Sequence, residues 1–232
     1  MLAILSRPIG FGRHPSGQNA LVKSIVANGL HRYADSMTLN DTSSALSLLK
    51  TRRSGKPRDL VAPGPTEDEL TQILTIAVRS PDHGKLSPWR FVIVGREQRQ
   101  ALAELLNRAL PESDPEATAA HHAKAQEFAH QAPVMIVLIS SPIREHKIPV
   151  WEQELSCGAV GMNLLQAATA LGYVGGWITG WQAYSERVRR AFCGDGERIA
   201  GFIFLGTPQL PLEERPRPEL STLVRDWSPP KG

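Results

Sequence analysis

VWEQELSCGAVGMNLLQAATAL, residues 150–171, is the longest periodic segment of the chain. Within it Trp151, Leu155, Ala159, Met162, Leu165 and Ala168 return at steps of three and four, the spacing of one helical face. Ser156, Gly158, Ala159 and Gly161 are small enough to let another backbone lie close. Gly172 supplies the stop. The segment predicts a long, central, buried helix, packed within the domain or against a partner subunit.

Working outward, the N-terminal side carries a short helix running to about Arg52, with Asp41-Thr42-Ser43 offering caps before Ala45, Leu46, Leu48 and Leu49. Thr66 and Glu69 make a capping box ahead of Leu70, Ile73, Leu74, Ala77 and Val78, and Ser80-Pro81 ends that helix. Phe91-Val92-Ile93-Val94 reads as a strand closed by Gly95. Two helices follow, from about 97 to 109 and from Glu116 to His130, and Pro133 opens a strand ending near Ser141. Beyond the central helix come a Gly-rich strand, Tyr173 to Thr179, a helix around Arg187 to Phe192, and a strand from Ile199 to Leu205. The tail from Pro211 is Pro-rich and extended. Helices are too unevenly placed for a doubly wound parallel sheet, so the order predicts an α+β domain with a mixed sheet flanked by helices. Residues 1–40 mix Gly, Pro, His and Ser with short apolar pieces and read as a poorly ordered extension or an upstream start, with Met37 the natural one. The domain proper is then 41–232.

The chain has 232 residues, 41% hydrophobic and 21% charged, which suits a soluble globular protein rather than a disordered one. Val134–Ile139 is the longest apolar run and far too short to cross a bilayer. The net charge of +3 is not gathered into the basic stripe of a nucleic-acid binder. Cys157 and Cys193 form no CxxC or zinc spacing and read as small buried apolar residues, which fits a reducing, cytoplasmic setting. His121, His122, Glu127 and His130 lie on one polar helix and read as a solvated face, not a metal set. Gly10-Phe11-Gly12 follows no strand and lacks a third glycine, and neither a Walker A sequence nor a GxSxG elbow occurs.

Four stretches carry possible chemistry. Arg52-Arg53-Ser54-Gly55-Lys56 suits a phosphate, because guanidinium forks and a hydroxyl stand beside a glycine that lets main-chain N–H groups approach. It equally suits a solvated basic helix end. Arg79 to Phe91 is an ordered loop with two prolines, in which Trp89 reads as core. Gly172 to Trp181 places glycines on a strand, which suits either the close approach of a ligand or another backbone, or a barrel-like bend or tight helix packing. Leu205-Gly206-Thr207-Pro208 leads to Arg217, fixed between prolines, either an anion grip or part of a linker.

Together these stretches resemble the nitroreductase family, and specifically its small single-domain members. The pieces RRS, SPDHxxxxPWxF, PxWEQExxxG, GGW and FxxLGTPQ occur in family order over roughly residues 43 to 220. The resemblance implies a nitroreductase-like α+β fold with a mainly antiparallel sheet and the long helix at a homodimer interface. It implies FMN as cofactor, with Arg52 and Ser54 on the phosphate, Arg53 alongside and Lys56 near flavin N1 and O2. An ammonium there stabilises the negative charge of the reduced ring. It further implies that Arg79 and His83 reach FMN from the other subunit, that Gly176-Trp177-Ile178-Thr179-Gly180 lies along the isoalloxazine, and that Arg217 adds a phosphate contact. Lys85 and Ser87 stand where larger relatives carry Asn and Gln. No catalytic side chain is implied: NAD(P)H passes hydride to flavin N5, and a nitroaromatic, quinone or similar acceptor then collects it in a ping-pong cycle. Glu152 and Glu154 are read as structural. The alternatives are a flavin-binding protein without NAD(P)H turnover, a relative that uses reduced flavin with oxygen, and an anion-binding module built on the basic segment.

Overall fold

The structure, a computed structural model, describes residues 38–230. Thr38–Glu214 forms one compact unit, and 215–230 belongs to a second, extended except for the helical turn Leu220–Leu223. The expected extension, apart from residues 38–40, and the Met37 start lie outside the described residues.

Five strands build the sheet: β1 (Leu60–Val61), β2 (Trp89–Ile93), β3 (Val134–Ser140), β4 (Val174–Ile178) and β5 (Arg198–Pro208). The order is β1-β5-β3-β2, with β4 also paired to β5, and every pairing among the described residues is antiparallel. The helices of this unit are α1 (Ala45–Thr51), α2 (Glu67–Ala77), α3 (Arg99–Ser113), α4 (Ala119–His130), α5 (Val150–Ala170), α6 (Gly180–Tyr184) and α7 (Glu186–Phe192). The fold is thus the expected α+β sheet flanked by helices. Two short elements escaped the pattern, β1 and α6, each too brief to show a period.

Alternation along the central strands splits the core into two layers. Met135, Val137 and Ile139 of β3 and Phe202 and Phe204 of β5 pack with Leu102, Leu106 and Phe128 of α3 and α4. Ile136, Leu138, Ile203 and Leu205 turn the other way, onto Ile73 of α2 and Cys157, Val160, Leu164 and Ala168 of α5. Phe128 stands edge-on to both Phe202 and Phe204, at 5.2 and 5.3 Å between ring centroids.

Local chemistry explains the helix starts. The Thr66–Glu69 capping box closes as expected: Thr66 N donates to Glu69 Oε2 at 2.8 Å and Glu69 N to Thr66 Oγ1 at 3.3 Å. The cap of α1 is Ser44, whose hydroxyl accepts from Ser47 N at 3.0 Å; Asp41 instead accepts from Ser43 N in a turn just before. The stripe expected on α5 also divides. Leu165 and Ala168 are buried, whereas Trp151 and Leu155 are 61% and 62% exposed. The face turned to the sheet is Cys157, Val160, Gly161, Leu164 and Ala168. Among the described residues, no helix is long and apolar enough to cross a membrane.

Candidate cofactor site

The basic segment leaves α1 at Arg52 and runs beside β4. Gly55 N donates to Gly175 O at 3.2 Å, and a side chain on Gly176 would strike Gly55 O at 2.7 Å and the Pro57 ring. Both readings of the Gly-rich strand are used: backbone approach accounts for Gly176, whose side is filled by the basic segment, and tight helix packing for Gly175, whose side is filled by Leu165 of α5 together with Leu205.

Asn40 fixes the segment from the opposite side. Its Oδ1 accepts from Arg53 N at 2.6 Å, and its Nδ2 donates to Arg53 O at 3.2 Å. Asn40 itself is left-handed at φ 57°, a conformation Asn tolerates better than most residues. Sequence reasoning passed over this residue, which falls in the stretch assigned to the extension. An Asn next to an N-cap cluster was the signal available.

The segment walls an open cleft of about 350 Å³, lined by Arg53, Ser54, Gly55 and Lys56, by Asp59 and Leu60, and by the turn Pro208–Glu213 after β5. Arg52 Nη1 donates to Ser54 Oγ at 3.2 Å, so the guanidinium and hydroxyl expected to share one phosphate already converge. Arg53 Nε donates to Glu213 O at 2.6 Å and lies 3.9 Å from Glu214, tying the segment to the chain beyond β5. The Arg53 guanidinium, the Ser54 hydroxyl and the Lys56 ammonium around one cleft, with Arg52 bonded to that hydroxyl, form a donor set that fits a phosphate monoester, and the apolar side of Leu60, Leu210 and Leu212 gives a flat body something to lie on.

The remaining predicted residues lie elsewhere. Arg79, just past α2, and His83, in the following loop, are exposed and do not line this cleft. His83 Nδ1 sits 2.8 Å from Glu152 Oε2, so the ring's Nε2 is the nitrogen left for other partners. The loop carries three left-handed residues in a short run, Gly84, Lys85 and Ser87, and Asp82 Oδ2 accepts from Ser87 N at 2.7 Å to hold it. Trp89 is buried, as expected. Trp177 is committed to packing: its Nε1 donates to Ala200 O at 3.1 Å, and its ring fills the space left by Gly161 and Gly201. Ile178 packs on the first core layer, Thr179 stands at the N-cap position of α6 with no side-chain bond to the helix, and Gly180 opens α6 at φ 56°. Arg217 is exposed in the extended tail unit.

Several polar residues outside the cleft have local partners. Glu154 pairs with Arg198. Gln153, 2% exposed, donates to Ile143 O and Ile148 O and accepts from Ile143 N, holding the loop before α5. Cys157 is buried and Cys193 half-buried; burial pushes the Cys157 thiol up to about 11. His121 lies 3.4 Å from Asp114, and His122 Nδ1 2.9 Å from Asn107 Oδ1.

Comparison with known proteins gives a consistent result. The nitroreductase family profile matches residues 49–207. The Escherichia coli (strain K12) protein named "Putative NAD(P)H nitroreductase YdjA" is 37% identical over 167 residues, covering 72% of this chain and 89% of that protein. Among solved structures, a nitroreductase-like family protein from Bacillus cereus superposes with a TM-score of 0.68 at 20% identity, over 80% of this chain and 96% of that one. A nitroreductase with bound FMN from Bacteroides fragilis gives 0.57 at 21% identity, over 75% and 94%. The motifs, the sheet order and the sequence match agree: the chain belongs to the nitroreductase family.

Proposed function

We propose that this chain binds FMN in the cleft walled by the Arg52–Lys56 segment and uses it to pass hydride from NAD(P)H to an electron-poor acceptor such as a nitroaromatic or a quinone. Family membership makes it an oxidoreductase. The observation that carries the cofactor reading is the convergence of Arg52 on Ser54 within a segment pinned by Asn40 on one side and by Gly175 on the other. A pre-ordered donor set loses little entropy on gripping a phosphate. The FMN in the Bacteroides fragilis relative, which shares the fold, supports the same ligand.

FMN, when bound, supplies the two-electron chemistry at N5 that no side chain can. The chain's part is binding, orientation and charge. Arg52 and Ser54 donate to the phosphate, with Arg53 beside them. The Lys56 ammonium stands at the pyrimidine end, where reduction places negative charge. Main chain from Gly176 to Gly180 borders the ring. Arg79 and His83 of the partner subunit complete the site in a homodimer, and Glu152 holds the His83 ring by Nδ1 so that Nε2 is presented. NAD(P)H and then the acceptor occupy the same open face in turn, so turnover is ping-pong.

A visible spectrum of the purified protein tests this. The expected protein is yellow, releases about one FMN per chain and is bleached anaerobically by NADH or NADPH. A colourless protein that FMN cannot reconstitute overturns the reading.

A further inference from the structure

A second cleft shares only Leu60 with the cofactor cleft. It is an open cleft of about 440 Å³, lined by Arg96, Arg99 and His130 on its polar side and by Leu60, Val61 and Pro133 on its apolar side. Two chain crossings create it. The turn from β2 into α3 carries Arg96 and Arg99, and the turn from α4 into β3 carries His130, with Ala132 left-handed at φ 54°.

Arg99 is the unusual member. It is only 4% exposed, yet its hydrogen bonds all go to main-chain carbonyls: Nε to Val94 O at 3.0 Å, Nη1 to Ala129 O at 2.9 Å and to Gln131 O at 3.1 Å. Among the described residues, neither Arg96 nor Arg99 pairs with a carboxylate, and none of the described residues lining the cleft is acidic. Burial, with the Arg96 charge adding to it, lowers the guanidinium to about 10, so it remains charged at neutral pH without a counter-ion. A buried, unneutralised charge is costly. Tethering the end of α4 explains the three carbonyl bonds. It does not explain why Arg96 and His130, both exposed, converge on the same mouth. An anion seated there supplies the missing charge.

We propose that this cleft binds a phosphate monoester carried on a small apolar body, the phosphate meeting Arg96, Arg99 and His130 and the body lying on Leu60, Val61 and Pro133. A volume of about 440 Å³ exceeds the need of a bare phosphate and falls in the range of small-molecule sites. Guanidinium forks favour phosphate over a single carboxylate, because they meet more acceptor oxygens and more charge.

Phenyl phosphate is the probe, titrated calorimetrically into the full chain saturated with FMN. The expected result is one site per chain with Kd below about 1 mM. Arg96→Glu should weaken it at least about tenfold, and His130→Ala in an otherwise unchanged chain should weaken it less. Both residues are exposed, so both variants should fold, and retained FMN content checks this independently. Arg53→Ala, in the cofactor cleft, should leave phenyl phosphate binding unchanged. No binding at about 10 mM probe overturns the proposal. So does an affinity unaltered by Arg96→Glu, an affinity lost with Arg53→Ala instead, or benzoate binding as tightly as phenyl phosphate. Because cofactor content is read separately by absorbance, failure of the FMN reading and failure of this one are distinguishable.

Discussion

Gly201 has no side chain because the Trp177 indole stands where one would be: a β-carbon there would run into Trp177 Nε1 and lie 3.1 Å from Ile178 O. Gly201→Ala must therefore displace a large ring that also fills the space over Gly161. We expect a loss of about 3 kcal/mol, the upper end of overpacking costs, and a melting temperature about 6–12 °C lower; unchanged thermal unfolding would mean the indole has somewhere else to go. The GGW stretch announced close approach from its composition, but which neighbour approaches was not legible. That depended on a segment over a hundred residues away lying against β4. Asn40 shows the same limit from the other side. Its two bonds to Arg53 are long-range in sequence, and no local pattern marks them. Asn40→Ala removes both, each worth about 1 kcal/mol. The expected outcome is an FMN Kd raised about tenfold or more in a flavin-fluorescence titration, with a melting temperature about 4–8 °C lower. An unchanged Kd would show that the backbone bond to β4 suffices to hold the segment.

The strands β2, β3 and β5 end together at a charged clasp. Glu197, just before β5, accepts from both Nε and Nη2 of Arg90 on β2, from Ser141 Oγ just after β3 at 2.6 Å, and from Gly194 N at 2.6 Å. Arg90, seconded by Ser141 and Gly194, holds the Glu197 carboxyl down to about 2, against an ordinary value of 4.5. The native state thus prefers the ionised form. Its contribution is complete above the unfolded value near 4.5 and fades as pH falls through that value toward 2. Glu197→Gln should cost about 1–2 kcal/mol at pH 7 in urea unfolding, and the gap from wild type should close as pH approaches 2. A gap that stays constant with pH would assign the loss to geometry rather than charge. Nothing in the sequence marked this clasp, since an acid just after Gly194-Asp195-Gly196 reads as any turn. The elements it joins were readable: each long helix and each core strand announces its period over several turns or pleats. What stayed hidden were the two-residue strand β1 and the five-residue α6, because a period needs more residues than they have, and tertiary pairing alone defines them.

At the scale of the whole molecule, four of the large apolar residues that the domain leaves exposed lie on two helices in contact. Leu46 and Leu49 of α1 are 60% and 58% exposed, and Trp151 and Leu155 of α5 are 61% and 62% exposed; α1 packs against α5, which makes one patch of them. One turn on from Leu155, Gly158 has open space where a β-carbon would point. The periodicity of residues 150–171 named Trp151 and Leu155 as apolar stripe but could not say whether they face the sheet or a second copy, because both faces of α5 are apolar. The domain has taken one of them. A two-fold axis through the other would lay the patch on itself, and each large side chain then removed from water contributes about 1.5–3 kcal/mol. The proposed homodimer makes the same demand, since Arg79 and His83 lie outside the cleft of their own chain. The double variant Trp151→Glu/Leu155→Glu places four like charges across such an axis, and the domain core, which uses neither side chain, is left intact. Sedimentation velocity at about 10 μM should find a dimer for the parent chain and a monomer for the variant. The variant should also lose FMN while keeping its circular dichroism, because half of the ring's proposed partners depart with the second subunit. A parent chain that sediments as a monomer would overturn the two-subunit site outright. A monomeric variant that still holds FMN as tightly as the parent would show instead that the Arg52–Lys56 cleft is sufficient alone, and that the exposed face of α5 serves assembly rather than the cofactor.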